Sequence, residues 1–211
     1  MRTAIETAWP GHGIRGEEFR DHNAGAETVW VLDPIDGTKS FLTGVPLFTT
    51  LIAVVHRGVP VLGVIDQAVT RERWTGAAGL PTRLNGAPQR VRACESLDSA
   101  ALHATGTDWC APQDREAFER LRREAGTTRF SADAYAFGLL ASGHLDLAVE
   151  CELEPHDFCA LVPVVEGAGG RITDWDGKAL DPARPSRILA AGDARLHERA
   201  MKVLRGAAGE A

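Results

Sequence analysis

Apolar and polar positions change rhythm midway along the chain. Phe48 to Val55 and Val59 to Ile65 are apolar, β-branched runs separated by His56-Arg57-Gly58, a pattern that predicts a β-hairpin. Val29 to Leu32 predicts a short strand ending at Asp33, and Arg73 to Thr75 predicts an extension of the same antiparallel sheet. Residues 1–8 read as the end of a helix, broken by Pro10 and Gly11. Residues 76–89, with three glycines and two prolines, read as loop.

The second half has helical spacing. Ala117, Phe118, Leu121 and Ala125 fall on one face of a helix over 113–125, with charges on the other. A strand over 128–130, a helix over 134–141 and a strand over 145–149 follow. A helix over 158–168 is closed by Gly169-Gly170. Strands over 171–173 and 188–191 and a helix over 194–204 complete the chain. Alternating strands and helices predict an α/β protein, with a mixed sheet in the first half and an α/β second half. The natural division is 1–95 and 96–211, packed tightly against each other.

The 211 residues are enough for a substantial core, and 44% apolar with 25% charged content is ordinary for a globular chain. A net charge of −6 argues against nucleic acid, which requires a basic face. No apolar run approaches the roughly 18 residues of a membrane span, and no basic-then-apolar signal segment opens the chain. Cys94, Cys110, Cys151 and Cys159 form no CxxC pair and read as reduced thiols of a cytoplasmic protein. Cys151, His156 and Cys159 lack a fourth partner for zinc. Of the histidines, His144 and His197 fall among polar neighbours. "GHGIRG" (11–16) fits a dinucleotide-loop pattern but follows Pro10 and precedes Glu17-Glu18, so it reads as a plain loop. "TDWDGK" (173–178) lacks the acids of a calcium loop and reads as an Asp-Gly hairpin turn.

Chemistry concentrates in "WVLDPIDGTKSF" (30–41). Asp33 ends the strand, Pro34 fixes the backbone, and Gly37 accepts conformations other residues avoid. A tight turn aims Asp33 and Asp36 into one space beside the Ile35 carbonyl, an oxygen set suited to Mg²⁺. The amides of Gly37 and Thr38 are placed to meet an anion. A plain turn is the alternative, but two adjacent acids after a buried strand would repel each other without a cation.

"DPIDGT" resembles the signature of the inositol-monophosphatase family of Mg²⁺-dependent, lithium-sensitive phosphatases. "GEE" (16–18) stands upstream of it, as in that family. "DAYAFGLLASGHLDLAVE" (133–150) and "HDFCALVPVVEGAGGRITDWDG" (156–177) match later segments in order. Lys39-Ser40 and His156, where inositol phosphatases usually carry Asn and Trp, make the chain most similar to the histidinol-phosphatase branch.

The resemblance implies a layered α-β-α-β-α fold and two or three Mg²⁺ ions. It implies that Asp33 bridges two of them, with Glu17 and the Ile35 carbonyl completing one site and Asp36 and Asp157 the other. Glu18 replaces Glu17 if the register slips by one. Thr38 with Glu17 would orient the attacking water, while Gly37, Thr38, Asp133 and Glu150 would contact the substrate. Two carboxylates suit the cationic amine of histidinol phosphate better than a neutral polyol. The plain alternatives are a helix N-cap for Asp133 and a solvated residue for Glu150.

Family members begin with two further helices, which carry a Thr-x-x-Asp motif and a mobile loop that helps seat a third metal. Their absence before Met1 predicts an exposed apolar patch and weak or no turnover. It points to a start codon assigned late or to a shortened paralogue. The expected function is a phosphomonoesterase for L-histidinol phosphate in histidine synthesis, with a possible homodimer. The competing readings are an inositol-phosphate, sugar-phosphate or 3′-phosphonucleotide phosphatase and, from another class, an inactive metal- or partner-binding remnant.

Overall fold

A computed structural model describes residues 1–206. One sheet contains β1 (Gly13–Gly16), β2 (Thr28–Asp36), β3 (Thr49–His56), β4 (Val59–Gln67), β5 (Glu72–Ala77), β6 (Leu80–Leu84) and β7 (Ala87–Pro88), in that order. The β1–β2 pair is parallel and the remaining pairs are antiparallel. The second sheet orders β11 (Arg171–Thr173), β12 (Ser186–Ala191), β10 (Leu147–Leu153), β8 (Ala101–Ala104) and β9 (Thr127–Phe130).

Helices α4 (Tyr135–Ala141) and α6 (Leu161–Gly167) lie between the sheets and touch both. Helices α3 (Pro112–Glu124) and α7 (Ala194–Leu204) cover the far face of the second sheet. The short α1 (Arg2–Ala8) seals a small cluster of Ile5, Ile14 and Leu32. The layers therefore run α-β-α-β-α. The central core joins Val31, Leu51 and Ile65 of the first sheet to Phe137, Val164 and Ile188, so the two halves share it.

Alternation explains which sheet face is covered. In β3, Leu51, Ala53 and Val55 are buried toward α4 and α6, while Ile52 and Val54 on the other face are only half-buried. Their neighbours across the ladder, Trp30 and Val64, are half-buried too, and Leu62 is exposed. Close packing of α6 needs glycine on the strands: a Cβ at Gly76 would fall 2.3 Å from the Pro163 carbonyl oxygen.

Several expected elements change. The segment 76–89 is not a loop, because Gly79 and Gly86 mark tight turns between short strands. Asn85-Gly86, both with positive φ, close the β6–β7 hairpin. Residues 13–16 of "GHGIRG" pair with β2 as an edge strand. The strand expected over 145–149 begins at Leu147 and runs on through Glu150 to Leu153, and the Asp146 side chain just before it makes a two-pronged pair with Arg92. The helix expected over 158–168 starts earlier, as α5 (Pro155–Phe158), with proline in its first turn and Asp157 accepting from the Glu154 amide. Asp174 shapes the 173–178 turn by accepting from the amides of Asp176 and Lys178.

Two chemical expectations are also overturned. Cys110 and Cys151 are joined in a disulfide, leaving Cys94 and Cys159 as thiols, so Cys151 has no place in a zinc site either. His197, which falls among polar neighbours in the sequence, is fully buried. It shares the inward face of α7 with Leu196, Ala200 and Leu204, and its Nε2 meets the Thr173 hydroxyl at 2.9 Å.

Burial, and secondarily Arg171, lowers the His197 pKa from 6.5 to about 4. The unfolded chain therefore binds the extra proton more readily, and this contribution to stability is lost as pH falls from 6.5 towards 4. Urea titrations between pH 7.5 and 4 should show that decline, and His197→Gln should make it shallower.

Candidate active site

The opening problem is geometric. Residues three apart on a regular strand point to opposite faces, so Asp33 and Asp36 would diverge. The β2–β3 register solves this: Asp33 pairs with Leu51 and Asp36 with Thr49, so β2 spends three steps where β3 spends two. The extra residue is a bulge at Pro34-Ile35 that swings both carboxylates to one side. Proline suits the position because it has no amide to lose from the ladder. The turn is fixed by the Ile35 amide donating to Asp33 Oδ1 at 3.0 Å and by the Thr50 hydroxyl donating to the Pro34 carbonyl at 2.8 Å.

Asp157, from α5 in the other half of the chain, meets this pair. Oxygens of Asp33, Asp36 and Asp157 lie within 4.8 Å of one another. Glu17, Asp33 and His156 form an overlapping group by the same measure. Glu17, directly after β1, thus reaches Asp33, whereas Glu18 joins neither group. The Ile35 carbonyl lies in the same turn and accepts the Thr38 hydroxyl at 3.3 Å.

This crowding is electrostatically unfavourable. Burial first, then Asp36, Glu17 and Asp157, push the Asp33 pKa up to about 8. Burial, then Asp133 and Asp157, drive Asp36 up to about 8 despite its bonds from the Ala134 amide and the Thr49 hydroxyl. Burial also raises Asp157, against the pull of His156. An all-oxygen carboxylate set held together at this cost fits a hard divalent cation such as Mg²⁺.

Gly37 joins the signature to the other half. It has φ +80°, and a Cβ there would sit 2.9 Å from an Asp133 carboxylate oxygen. It caps the five-residue α2 (Thr38–Leu42), whose first amides have no partner one turn back. Asp133 accepts the Ser40 hydroxyl at 2.8 Å. It does not cap α4, whose N-cap is Ala134. Burial raises its pKa.

Glu150 is not solvated; it is 2% exposed inside β10. Oε1 accepts the Thr105 amide at 2.8 Å and its hydroxyl at 2.9 Å, while Oε2 is buried without a partner among the described residues. Burial dominates in lifting its pKa to about 8. A cavity of about 160 Å³ brings Glu150 together with Asp36, Asp133, Asp157, Thr105 and Trp109. Thr105 and Trp109 were not foreseen, because nothing near them in the sequence marks a site.

The chain matches the model of the inositol monophosphatase family over residues 1–208. It belongs to that family. It is 46% identical over 204 residues to the chloroplastic bifunctional phosphatase IMPL2 of Arabidopsis thaliana, covering 92% of this chain and 59% of that protein. A histidinol-phosphatase of Chlorobaculum parvum is 35% identical, with 84% and 69% covered. Among solved structures, an inositol monophosphatase from Zymomonas mobilis superposes with a TM-score of 0.92 at 42% identity, over 97% of this chain and 79% of that one. The chain thus spans about three-fifths of the first of these relatives and larger shares of the others.

Without metal, the folded state binds protons at Asp33 and Asp36 that the unfolded chain releases above 3.8. Stability in EDTA should therefore fall as pH rises from about 4 towards 8. Mg²⁺ should raise the melting temperature more at pH 8 than at pH 5.5, and Asp36→Asn should shrink that difference. Gly37→Ala should cost about 1–2 kcal/mol in urea unfolding from its left-handed backbone alone, with further loss from displacing Asp133.

Proposed function

We propose that the chain is a Mg²⁺-dependent phosphomonoesterase whose substrate is L-histidinol phosphate. The convergence of Asp33, Asp36 and Asp157 oxygens within 4.8 Å, next to a cavity lined by Glu150, carries this reading. Asp33 would be shared between two ions, with Glu17 and the Ile35 carbonyl on one side and Asp36 and Asp157 on the other. Bound Mg²⁺ supplies Lewis acidity that lowers the pKa of water and stabilises a departing oxygen.

The chain's own groups do the rest. The Thr38 hydroxyl and the Glu17 carboxylate orient the attacking water, and Glu17 takes its proton. Water oxygen bonds to phosphorus as the ester oxygen leaves in line, giving phosphate and, after protonation, L-histidinol. The amides of Gly37 and Thr38 face the phosphate. Glu150 Oε2, buried and unpartnered, takes the ammonium of the organic end, and Asp133 adds a second carboxylate. Relatives named histidinol-phosphatase support this substrate. Similarity to a probable inositol 1-monophosphatase, ImpA of Mycobacterium tuberculosis, favours inositol phosphate as the second reading.

Phosphate release from L-histidinol phosphate, inositol 1-phosphate, a sugar phosphate and a 3′-phosphonucleotide should be fastest with the first and vanish in EDTA. Equal turnover of all four would remove the histidinol assignment. Asp36→Asn should abolish most of the Mg²⁺-binding heat in calorimetry; unchanged binding would show that the ligand set is wrong.

A further inference from the structure

Trp109 lines the cavity with Glu150 and Asp133, yet it belongs to no motif of the site. Its segment is held on every side. Cys110, the next residue, is bonded to Cys151, which itself follows Glu150. The Cys110 amide donates to the Thr107 carbonyl at 3.2 Å, and Arg115 donates to the carbonyls of Thr107 and Asp108. Lys39, two residues after Gly37, places its ammonium 4.8 Å from the centre of the indole ring. Gly106 leaves room for the ring, since a Cβ there would come within 3.2 Å of two of its carbons.

A tryptophan restrained in this way loses little conformational freedom when a ligand packs on it. It remains 38% exposed, so part of its surface is available to a ligand. The surroundings are acidic, and the ring already attracts one cation in Lys39. An indole surface offers no hydrogen-bond acceptor for a polyol's hydroxyls, which would lose water there without replacement. A flat aromatic ring such as imidazole loses far less and gains a stacking contact.

We propose that Trp109, fixed by the Cys110–Cys151 disulfide, is a specificity-determining wall that selects a planar aromatic organic group, the imidazole end of the substrate, over a polyol. This deepens the histidinol-phosphate reading and rests on it.

Two probes that cannot be hydrolysed separate the contributions. One is the analogue of L-histidinol phosphate with methylene in place of the bridging oxygen, and the other is methylphosphonate, which has no organic end. Both are titrated calorimetrically into the Mg²⁺-loaded protein, its Trp109→Ala variant and its Trp109→Phe variant, with melting temperatures as the check on folding. Trp109→Ala should weaken the analogue about tenfold and Trp109→Phe no more than about threefold, as expected for loss and partial retention of an aromatic contact. Methylphosphonate affinity should stay the same in all three proteins. Unchanged analogue affinity in Trp109→Ala, or equal losses for both probes, would overturn the wall while leaving the substrate assignment standing. Wild-type protein that binds the analogue no more tightly than methylphosphonate would overturn both.

Discussion

The mutual repulsion of Asp33, Asp36 and Asp157 is the constraint around which the molecule is arranged. Carboxylates brought within 4.8 Å and partly removed from water disfavour one another's ionised forms, and nothing among the described residues neutralises all three. A fold selected only for stability would separate them. Here the bulge in β2, the turn stapled by Asp33 and Ile35, and the early start of α5 all act to keep them together. The hydrophobic core between the sheets supplies the free energy that holds this arrangement, and it does so through α4 and α6, which contact both sheets.

The site is consequently a property of the packed halves and not of the signature alone. Asp36 accepts from the Ala134 amide, Gly37 packs on Asp133, and Ser40 donates to Asp133. Three successive parts of the signature turn thus contact one short segment that leads into α4. Asp133 itself has φ 46°, a conformation that most side chains resist, and its surroundings hold it there. Movement of α4 relative to the first sheet would disturb the carboxylate pair and the organic-end cavity together.

How much of this the sequence made legible follows from the range of each determinant. The 56–58 hairpin, where Arg57 and Gly58 have positive φ, is set by neighbouring residues and could be read directly; at 33–36, where a strand end and a tight turn were expected, β2 runs on to Asp36 through a bulge set by its pairing with β3. The short strands at 80–84 and 87–88 were hidden because glycine and proline mark the turns between strands as readily as loops. His197 was misjudged by its sequence neighbours, although positions 196, 197, 200 and 204 share a helical face. Thr105 and the Cys110–Cys151 bond depend on partners 45 and 41 positions away, and no local pattern announces such pairings. The approach of Asp33 to Asp36 was readable from the residues between them, but the layered architecture and the arrival of Glu17 and Asp157 were readable only because motifs in fixed order resembled a known family.

The two ends of the cavity are built on different principles, and that difference bears on how substrates can diverge within one scaffold. At the carboxylate end, backbone features fix the acidic side chains: a bulge, a left-handed glycine and a helix start. Substituting side chains elsewhere leaves those features in place. At the other end, Thr105, Trp109 and Glu150 stand on β10 and on the segment after β8, which hydrogen bonds and a disulfide join to each other. Replacing residues there alters the shape and charge of that end of the cavity without touching the bulge or the α5 start. Relatives named for histidinol phosphate and for inositol phosphate match the same chain, as expected if the metal-facing end is constrained by backbone geometry and the other end is free to vary.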